Sequence, residues 1–476
     1  MKVKYDVIFV GAGPAGVYGA YELINKAPNL KVLLVDKGHD IYHRRCPVLE
    51  HKLEKCPVNK NGVSGCYPCC SITNGFGGAG AFSDGKFNIT SEFGGWMTDY
   101  LPEREVEDLI KYVDEINLKY GATKVITDPL TDKVREIERR GYAVGLKLLR
   151  AQVRHLGTEN NLMILQHIYD DLKKVIDMRY ECEVTDIIVK DNKVAGIQIG
   201  DEIVEAPYLF VAVGRDGSTW LHDMCVKHNI KMTHNQVDIG VRVETNDVIM
   251  EEINKNLYEG KFVYRTTVGT EVRTFCSNPS GHVVIENHSG TILANGHAYT
   301  DPKLGTENTN FALLVSHKFT EPFDDPNEYA HEVSRLANRL SGGSVIVQRY
   351  GDIKKGRRTT AKRLAEGYVK PSLTEAVPGD LGLALPYNTM KSIIEMIETL
   401  DHVTPGIANE HTLLYGAEAK FYSARPEINN KFETKVEGLF VGGDGAGITR
   451  GLAQAGANGV AVAREIINRI EGKKNE

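Results

Sequence analysis

At 476 residues the chain is too long for one simple core, and its length points to roughly two or three lobes. Hydrophobic residues at 42% and charged residues at 25% are ordinary for a soluble globular protein, and no apolar run approaches the length of a membrane span. A formal charge of -6 gives no overall basic footprint and weighs against nucleic acid as substrate, and eight cysteines in a chain of this size do not read as a disulfide framework.

Met1-Lys2-Val3-Lys4 has the charge of a signal-peptide start. Asp6 and the glycine turn beyond it interrupt any apolar region, so a leader is rejected and a cytoplasmic protein is expected. The apolar run Val7 to Val10 leads into Gly11-Ala12-Gly13-Pro14-Ala15-Gly16, and a helix-compatible segment runs from Val17 to Asn25. A second apolar run, Val32 to Val35, ends in Asp36. Strand, G-x-G-x-x-G turn, helix, strand and acid at about this spacing define a dinucleotide-binding βαβ unit. Gly11 permits the tight turn, Gly13 lets the backbone approach a pyrophosphate, and Gly16 lets the helix pack on the strand. The helix N-terminus offers N–H groups and a positive dipole end to the phosphates. Asp36 is placed to accept ribose hydroxyls, and Lys37 follows it.

Five of the eight cysteines, Cys46, Cys56, Cys66, Cys69 and Cys70, fall in one stretch of Pro, Asn, Gly and Ser without helix or strand period. A C-x-x-C pair with neighbouring thiols suits an iron–sulfur cluster or a zinc ion, which would order a loop lacking a core. The alternative is a set of unligated thiols. Next comes a second glycine-rich loop, Gly75 to Lys86. Its sparse side chains let Gly77, Gly78, Ala79 and Gly80 turn amides toward a ligand, and Ser83 and Lys86 add polar groups at its end.

Helical period marks Glu103 to Tyr120, and Gly141 to Leu156 reads as a further helix. Asn160 to Lys174 is mixed. A three-stranded meander spans Glu181 to Ala206 and leads into the buried strand Tyr208 to Val213, which ends in Gly214 and Arg215. Residues 238–402 read as a separate, substrate-facing α+β lobe, with a helix near Tyr329 to Leu340. It interrupts a dinucleotide-binding domain of residues 1–237 and 403–476. The last segment repeats the opening pattern: Leu439 to Asp444, a Gly445-Ala446-Gly447 turn, and a helix from Ile448 to Ile470.

These ends of the chain, with the strand closing in Gly214-Arg215, resemble the two-dinucleotide-binding-domain flavoproteins of the glutathione-reductase/fumarate-reductase superfamily. Gly77 to Lys86, Asp238-Ile239-Gly240-Val241-Arg242 and Arg273 to Cys276 make the likeness narrower, to bacterial FAD-dependent dehydrogenases. The resemblance implies a Rossmann-like α/β fold holding FAD. It also implies Asp444 on the ribityl chain, backbone near Val184 beside the adenine, and Gly78 to Ser83 along the pyrophosphate and flavin. Gly443, Gly447 and Ile448 complete the C-terminal part of the cofactor site, with the following helix aimed at the flavin N1–C2=O edge. The bare alternative for Asp444 is a helix cap. No second glycine fingerprint for NAD(P)H appears, and no redox Cys pair follows the second strand, so a disulfide reductase is not expected. Electrons then come from NAD(P)H bound transiently at the flavin or from a ferredoxin-like protein.

Catalytic candidates are Cys276, Lys86, Arg358 in the basic loop Lys354 to Thr359, and Tyr415, with His411, Glu418, Lys420 and Tyr422 nearby in sequence. The expected reaction is reduction of a polarised C=C bond of a small organic substrate, or its reverse, at flavin N5. Two other readings stay open: a flavoprotein that modifies RNA, and an electron-transfer subunit pairing FAD with a Cys-ligated cluster.

Overall fold

The computed structural model describes residues 3–47, 50, 52–53, 57, 66–83, 85–127, 129–257, 260–288, 290–299, 302–320, 322–323 and 325–475. The chain forms two compact units. One comprises residues 1–126, 151–233 and 423–476, and the other residues 127–150 and 234–422.

In the first unit, five parallel strands stand in the order Leu439–Val441, Tyr208–Val211, Val7–Val10, Val32–Val35 and Asp177–Arg179. The first four are buried along their whole length, the continuous apolar signature of a sheet covered on both faces. Helix Pro14–Lys26 follows the first glycine turn with proline in its first turn, where a missing N–H costs nothing. It packs on the last helix, Leu452–Asn475, at a distance only glycine allows, since a Cβ on Gly459 would lie 1.9 Å from the Ala15 carbonyl oxygen. A second sheet carries the meander Val184–Lys190, Lys193–Ile199 and Glu202–Glu205.

The second unit is built on eight strands in the order Val377–Pro378, Ile346–Arg349, Leu413–Lys420, Val237–Asn246, Asn308–His317, Glu271–Asn278, Lys261–Arg265 and Leu146–Leu149. All neighbours are antiparallel except the first two strands. Alternation along Val237–Asn246 sends Val237, Ile239, Val241 and Val243 into one core with Ile393, Met396 and Ile397 of helix Tyr387–Leu400. The intervening Asp238, Arg242 and Glu244 are buried on the other face of the strand.

The architecture is α/β, with a Rossmann-like unit and an α+β one, but several expected bounds differ. Residues 141–156 are not a helix. They form the strands Leu146–Leu149 and Gln152–His155. Leu146 and Leu148 are buried while Lys147 faces out, so a period of two outweighs the helical reading. Thr158–Leu172 is one helix rather than a mixed segment, and the last helix begins at Leu452 rather than Ile448. The boundaries expected at 237/238 and 402/403 also move: strand Leu413–Lys420 pairs with Val237–Asn246 and so belongs to the second unit. Residues 127–150 join that unit through the pairing of Leu146–Leu149 with Lys261–Arg265.

Candidate functional site

In the first unit the ends of three parallel strands and two glycine loops converge. Gly11 has φ of +105°, and a Cβ there would lie 2.3 Å from the Ala212 carbonyl oxygen. A Cβ on Gly16 would lie 1.9 Å from the Gly11 oxygen. Both positions therefore require glycine to close strand against helix. Gly13 is different, with no atom within 4 Å of where its Cβ would stand. That open space lies beside bare backbone at a helix N-terminus, where an anion is favoured.

The second glycine loop lies against the first. Gly77 N donates to the Ala12 oxygen at 2.7 Å, and a Cβ on Gly78 would stand 3.0 Å from the Gly13 Cα. Gly78–Phe82 form a 3-10 turn in which Ala79 is exposed. Asn161 donates to the Gly80 oxygen at 2.7 Å. Ser83 Oγ donates to the same carbonyl at 2.7 Å and accepts from Gly85 N at 3.2 Å. Ser83 thus closes its own turn.

Asp36 is half-buried, and its carboxylate accepts from three backbone amides: Ala12 at 2.8 Å, Gly38 at 2.7 Å and Gly75 at 3.0 Å. It welds the first turn to the second loop, and of about four lone-pair positions one is left over by these three bonds. Lys37 pairs with Asp216 at 2.5 Å. Val184 is buried at the start of its strand.

The C-terminal contribution centres on Asp444. Gly443 N donates to Asn458 Oδ1 at 2.9 Å, and Thr449 Oγ1 donates to Asp444 Oδ1 at 2.8 Å. Burial pushes the Asp444 carboxyl above the usual range, while Arg215 acts in the opposite sense. Gly214 (φ +67°), Gly443 (φ +70°) and Gly447 (φ +65°) take left-handed conformations, and no atom lies within 4 Å of the Cβ position at Gly214. The Ile448 oxygen accepts from Trp96 N at 2.8 Å.

Cys46, Cys66, Cys69 and Cys70 are half-buried free thiols, and Cys56 lies outside the described residues, as does Asp84. Among the described residues no group of three or more His, Cys, Asp or Glu is placed to hold a metal. Burial pushes the Cys69 thiol up to about 12. The segment that follows Cys70 is braced by Arg44, a residue the sequence did not point to. Its side chain is buried and its nitrogens bond main-chain carbonyls of the segment after Cys70. Arg44 stands in an aperiodic stretch, so no sequence signal marked it.

The second unit holds a row of buried polar pairs. Arg242 and Glu418, neither exposed, form a bidentate ion pair with Nε–Oε2 2.8 Å and Nη2–Oε1 2.7 Å. Arg242 also donates to the Cys276 oxygen at 3.0 Å and to Asn295 Oδ1 at 3.1 Å. Lys420 adds a cation 3.3 Å from Glu418. Tyr415 donates to Glu244 at 2.5 Å, and Tyr422 donates to the buried Asp238. Burial raises the Glu244 carboxyl despite hydrogen bonds from Ser372, Tyr415 and Asn308.

Tyr415, expected as a proton donor, is therefore a core residue: fully buried, bonded to Glu244, its phenol pushed well up by burial. Arg358 is exposed, while its neighbours Lys354, Lys355 and Arg357 each pair with a carboxylate, Glu398, Glu410 and Asp352. The basic loop is thus largely neutralised from within. His411 lies 3.0 Å from Arg349. Cys276 is exposed at φ +45°, and Lys86 is half-buried on strand Lys86–Ile89 of the first unit.

Residues 236–421 match the family described as FAD-dependent protein, C-terminal domain-like. A protein of Clostridium beijerinckii described as uncharacterized is 27% identical over 494 residues, covering 99% of this chain and 82% of that one. Among solved structures, L-proline dehydrogenase from P. horikoshii is similar at a TM-score of 0.38 and 11% identity, with 98% of this chain and 95% of that chain covered. E. coli quinol fumarate reductase is similar at 0.41 and 14%, with 99% and 71% covered. Glycine oxidase from Geobacillus kaustophilus is similar at 0.38 and 11%, with 98% and 95% covered. The matched FAD-dependent domain agrees with the glycine turn of the first unit in pointing to a dinucleotide cofactor. Residues 236–421 thus carry an FAD-dependent C-terminal domain, and the first unit has the fold of a dinucleotide-binding domain. Among the described residues, no helix is long and apolar enough to cross a membrane.

Proposed function

We propose that the protein is an FAD-dependent oxidoreductase that reduces a polarised C=C bond of a small organic substrate, or forms one in the reverse direction. Bound FAD supplies the hydride-exchanging centre at N5. The observation that carries the cofactor side is the free space at Gly13, walled by Gly78 and joined to Asp36 by three amide hydrogen bonds.

The chain's own residues have distinct tasks in this reading. Gly13 and Gly78 admit the pyrophosphate against bare backbone, and the N-terminus of helix Pro14–Lys26 balances its charge. Asp36 holds the adenosine ribose. Asp444, oriented by Thr449, bonds the ribityl hydroxyls, and Arg215 keeps its charge tolerable. Cys276 and Lys86, with His411 and Lys420, are the proton-donor candidates whose side chains are not fully buried. NAD(P)H or a ferredoxin-like protein is the proposed electron donor.

The test is anaerobic. The protein is purified without oxygen, and its flavin is quantified together with iron, sulfide and zinc. The flavin is then reduced, and its reoxidation is followed by absorbance with a panel of enoates and enones. Rapid reoxidation supports the reading. Reoxidation by imines, with reduction of the oxidised flavin by amines or amino acids, would replace it with amine dehydrogenation. Flavin-free protein that fails to take up FAD would sink it. Iron and sulfide at cluster stoichiometry would assign the cysteine loop as a relay.

A further inference from the structure

Arg44 is a buried guanidinium without a carboxylate bonded to it among the described residues. Its donors go to main-chain carbonyls: Nε to Ser71 at 3.0 Å, Nη2 to Ser71 at 2.8 Å and to Ile72 at 3.0 Å, and Nη1 to Phe76 at 2.6 Å. Its planar group lies over the Phe82 ring, 4.9 Å from the centroid. One side chain therefore grips the start and the end of the segment that joins the cysteine loop to the second glycine loop. A planar fork suits that task and a lysine does not.

What lies between those grips is the wall of the cofactor cradle. Gly75 N donates to Asp36, Phe76 N to the His39 oxygen at 3.1 Å, and Gly77 N to the Ala12 oxygen. The two strips are pressed together, for a Cβ on Gly38 would stand 2.4 Å from Gly75 N. Cys69 and Cys70 immediately precede Ser71, and Asp36, Cys69 and Cys70 lie near enough to Arg44 to act on it electrostatically. Burial alone drives the Arg44 guanidinium down to about 10, a measure of how fully water is excluded there. Removing the side chain would leave three carbonyls without their donor and release the strip that holds Asp36.

We propose that Arg44 is a positioning residue of the FAD site, which ties the Cys66–Cys70 segment to the adenosine end so that FAD binding and the reactivity of Cys69 and Cys70 depend on one another. This rests on the cradle reading above. The dependence runs both ways: if ordering the segment strengthens FAD binding, FAD must order the segment by the same factor.

The experiment uses the full-length chain stripped of FAD, its Arg44→Met and Arg44→Lys variants, and three readouts. FAD affinity is read by flavin fluorescence, ADP affinity by competition, and thermal unfolding on the FAD-free proteins. Arg44→Met is expected to weaken FAD and ADP alike by about tenfold or more, with Arg44→Lys intermediate. In the wild-type chain, FAD is expected to slow N-ethylmaleimide alkylation of Cys69 and Cys70, mapped by mass spectrometry. A residue that serves stability alone would lower the unfolding midpoint and leave the ADP affinity of the folded protein unchanged, and that outcome overturns the proposal. So would alkylation rates indifferent to FAD. If Arg44→Met does not fold, Arg44→Lys and the wild-type protection still decide. Failure of the wild-type chain to bind FAD would instead refute the cradle reading.

Discussion

The two units solve the placement of polar groups in opposite ways. The first unit builds its candidate site from backbone, using glycines to bring strand, helix and loop together and letting amides face the open space beside Gly13. The second buries charged side chains in pairs on one face of its central strand, with Arg242, Glu418, Asp238 and Glu244 all inaccessible to solvent. A backbone site depends on the absence of side chains at particular positions. A buried side-chain row depends on every partner being present. Damage to the two regions should therefore differ in kind: loss of cofactor in the first, loss of stability in the second.

The largest effect on cofactor content is expected from Gly16→Ala. The new Cβ would stand 1.9 Å from the Gly11 oxygen, a clash with backbone that no rotamer relieves. Its cost is on the order of 3 kcal/mol, concentrated at the turn proposed to hold the pyrophosphate. The variant should emerge free of flavin, with an absorbance near 450 nm below a tenth of wild type by an order-of-magnitude estimate. Wild-type flavin content would break the assignment of this turn to the cofactor.

Next come single substitutions in the buried ion pair. Arg242→Met leaves Glu418 fully buried without its bidentate partner, with only Lys420 at 3.3 Å. Such a break costs about 3–5 kcal/mol, read as a fall in the urea midpoint. The double variant Arg242→Met with Glu418→Leu should recover much of that loss, because no fully buried charge is left alone and Lys420, which loses Glu418, is partly exposed. A double variant as unstable as the sum of the singles would mean that the two side chains are not coupled and that the ion pair does not account for the loss.

The same contrast explains what could be read from the sequence. Glycines and acids at fixed spacing are local signals, so Gly11, Gly13, Gly16, Asp36, Gly77 and Gly78 were recognisable in order and meet in space. Long-range side-chain pairs carry no such signal. Tyr415 looked like a proton donor because it is polar and near the chain's return, yet its partner Glu244 lies 171 residues away. Arg44 looked like nothing, because its acceptors are carbonyls in a stretch without period. The helix expected over 141–156 failed for a related reason. The partners of Leu146–Leu149 are on Lys261–Arg265, and pairing so distant in sequence leaves only a short alternation behind.

Tyr415→Phe offers a finer separation of the two regions. It removes the hydroxyl that donates to Glu244 at 2.5 Å and leaves the ring in place. Stability should fall by about 1–2 kcal/mol in urea, and the rate of flavin reduction should stay within a factor of about two. A hundredfold loss of rate with unchanged stability, the scale of a missing general acid, would return Tyr415 to the reaction.

The smallest effect is in pH, and its sign can be worked out in advance. Glu244 is raised above the ordinary carboxylate range by burial, although Ser372, Tyr415 and Asn308 act to lower it. Asp444 is raised as well, by burial against the pull of Arg215 and Thr449. In the window between the ordinary value and the raised one, the folded protein keeps a proton that the unfolded chain has released. The stabilisation is present below the ordinary range and is lost as pH rises through that window. Each group contributes a slope of at most about 1.4 kcal/mol per pH unit. Asp352 works in the opposite sense. Burial raises it, but hydrogen bonds from Thr359, Arg357 and Arg363 prevail and hold it low, so its contribution is present above the ordinary Asp range and lost as pH falls through the lowered value. Urea midpoints taken from about pH 4 to about pH 8 should therefore show a decline in the wild type that Glu244→Gln reduces, leaving the part that belongs to Asp444. FAD, if it bonds Asp444, should shrink that remainder, because a ligand that favours the ionised carboxylate lowers its pKa in the folded state. A remainder insensitive to FAD would detach Asp444 from the cofactor and leave it as the partner of Thr449 alone.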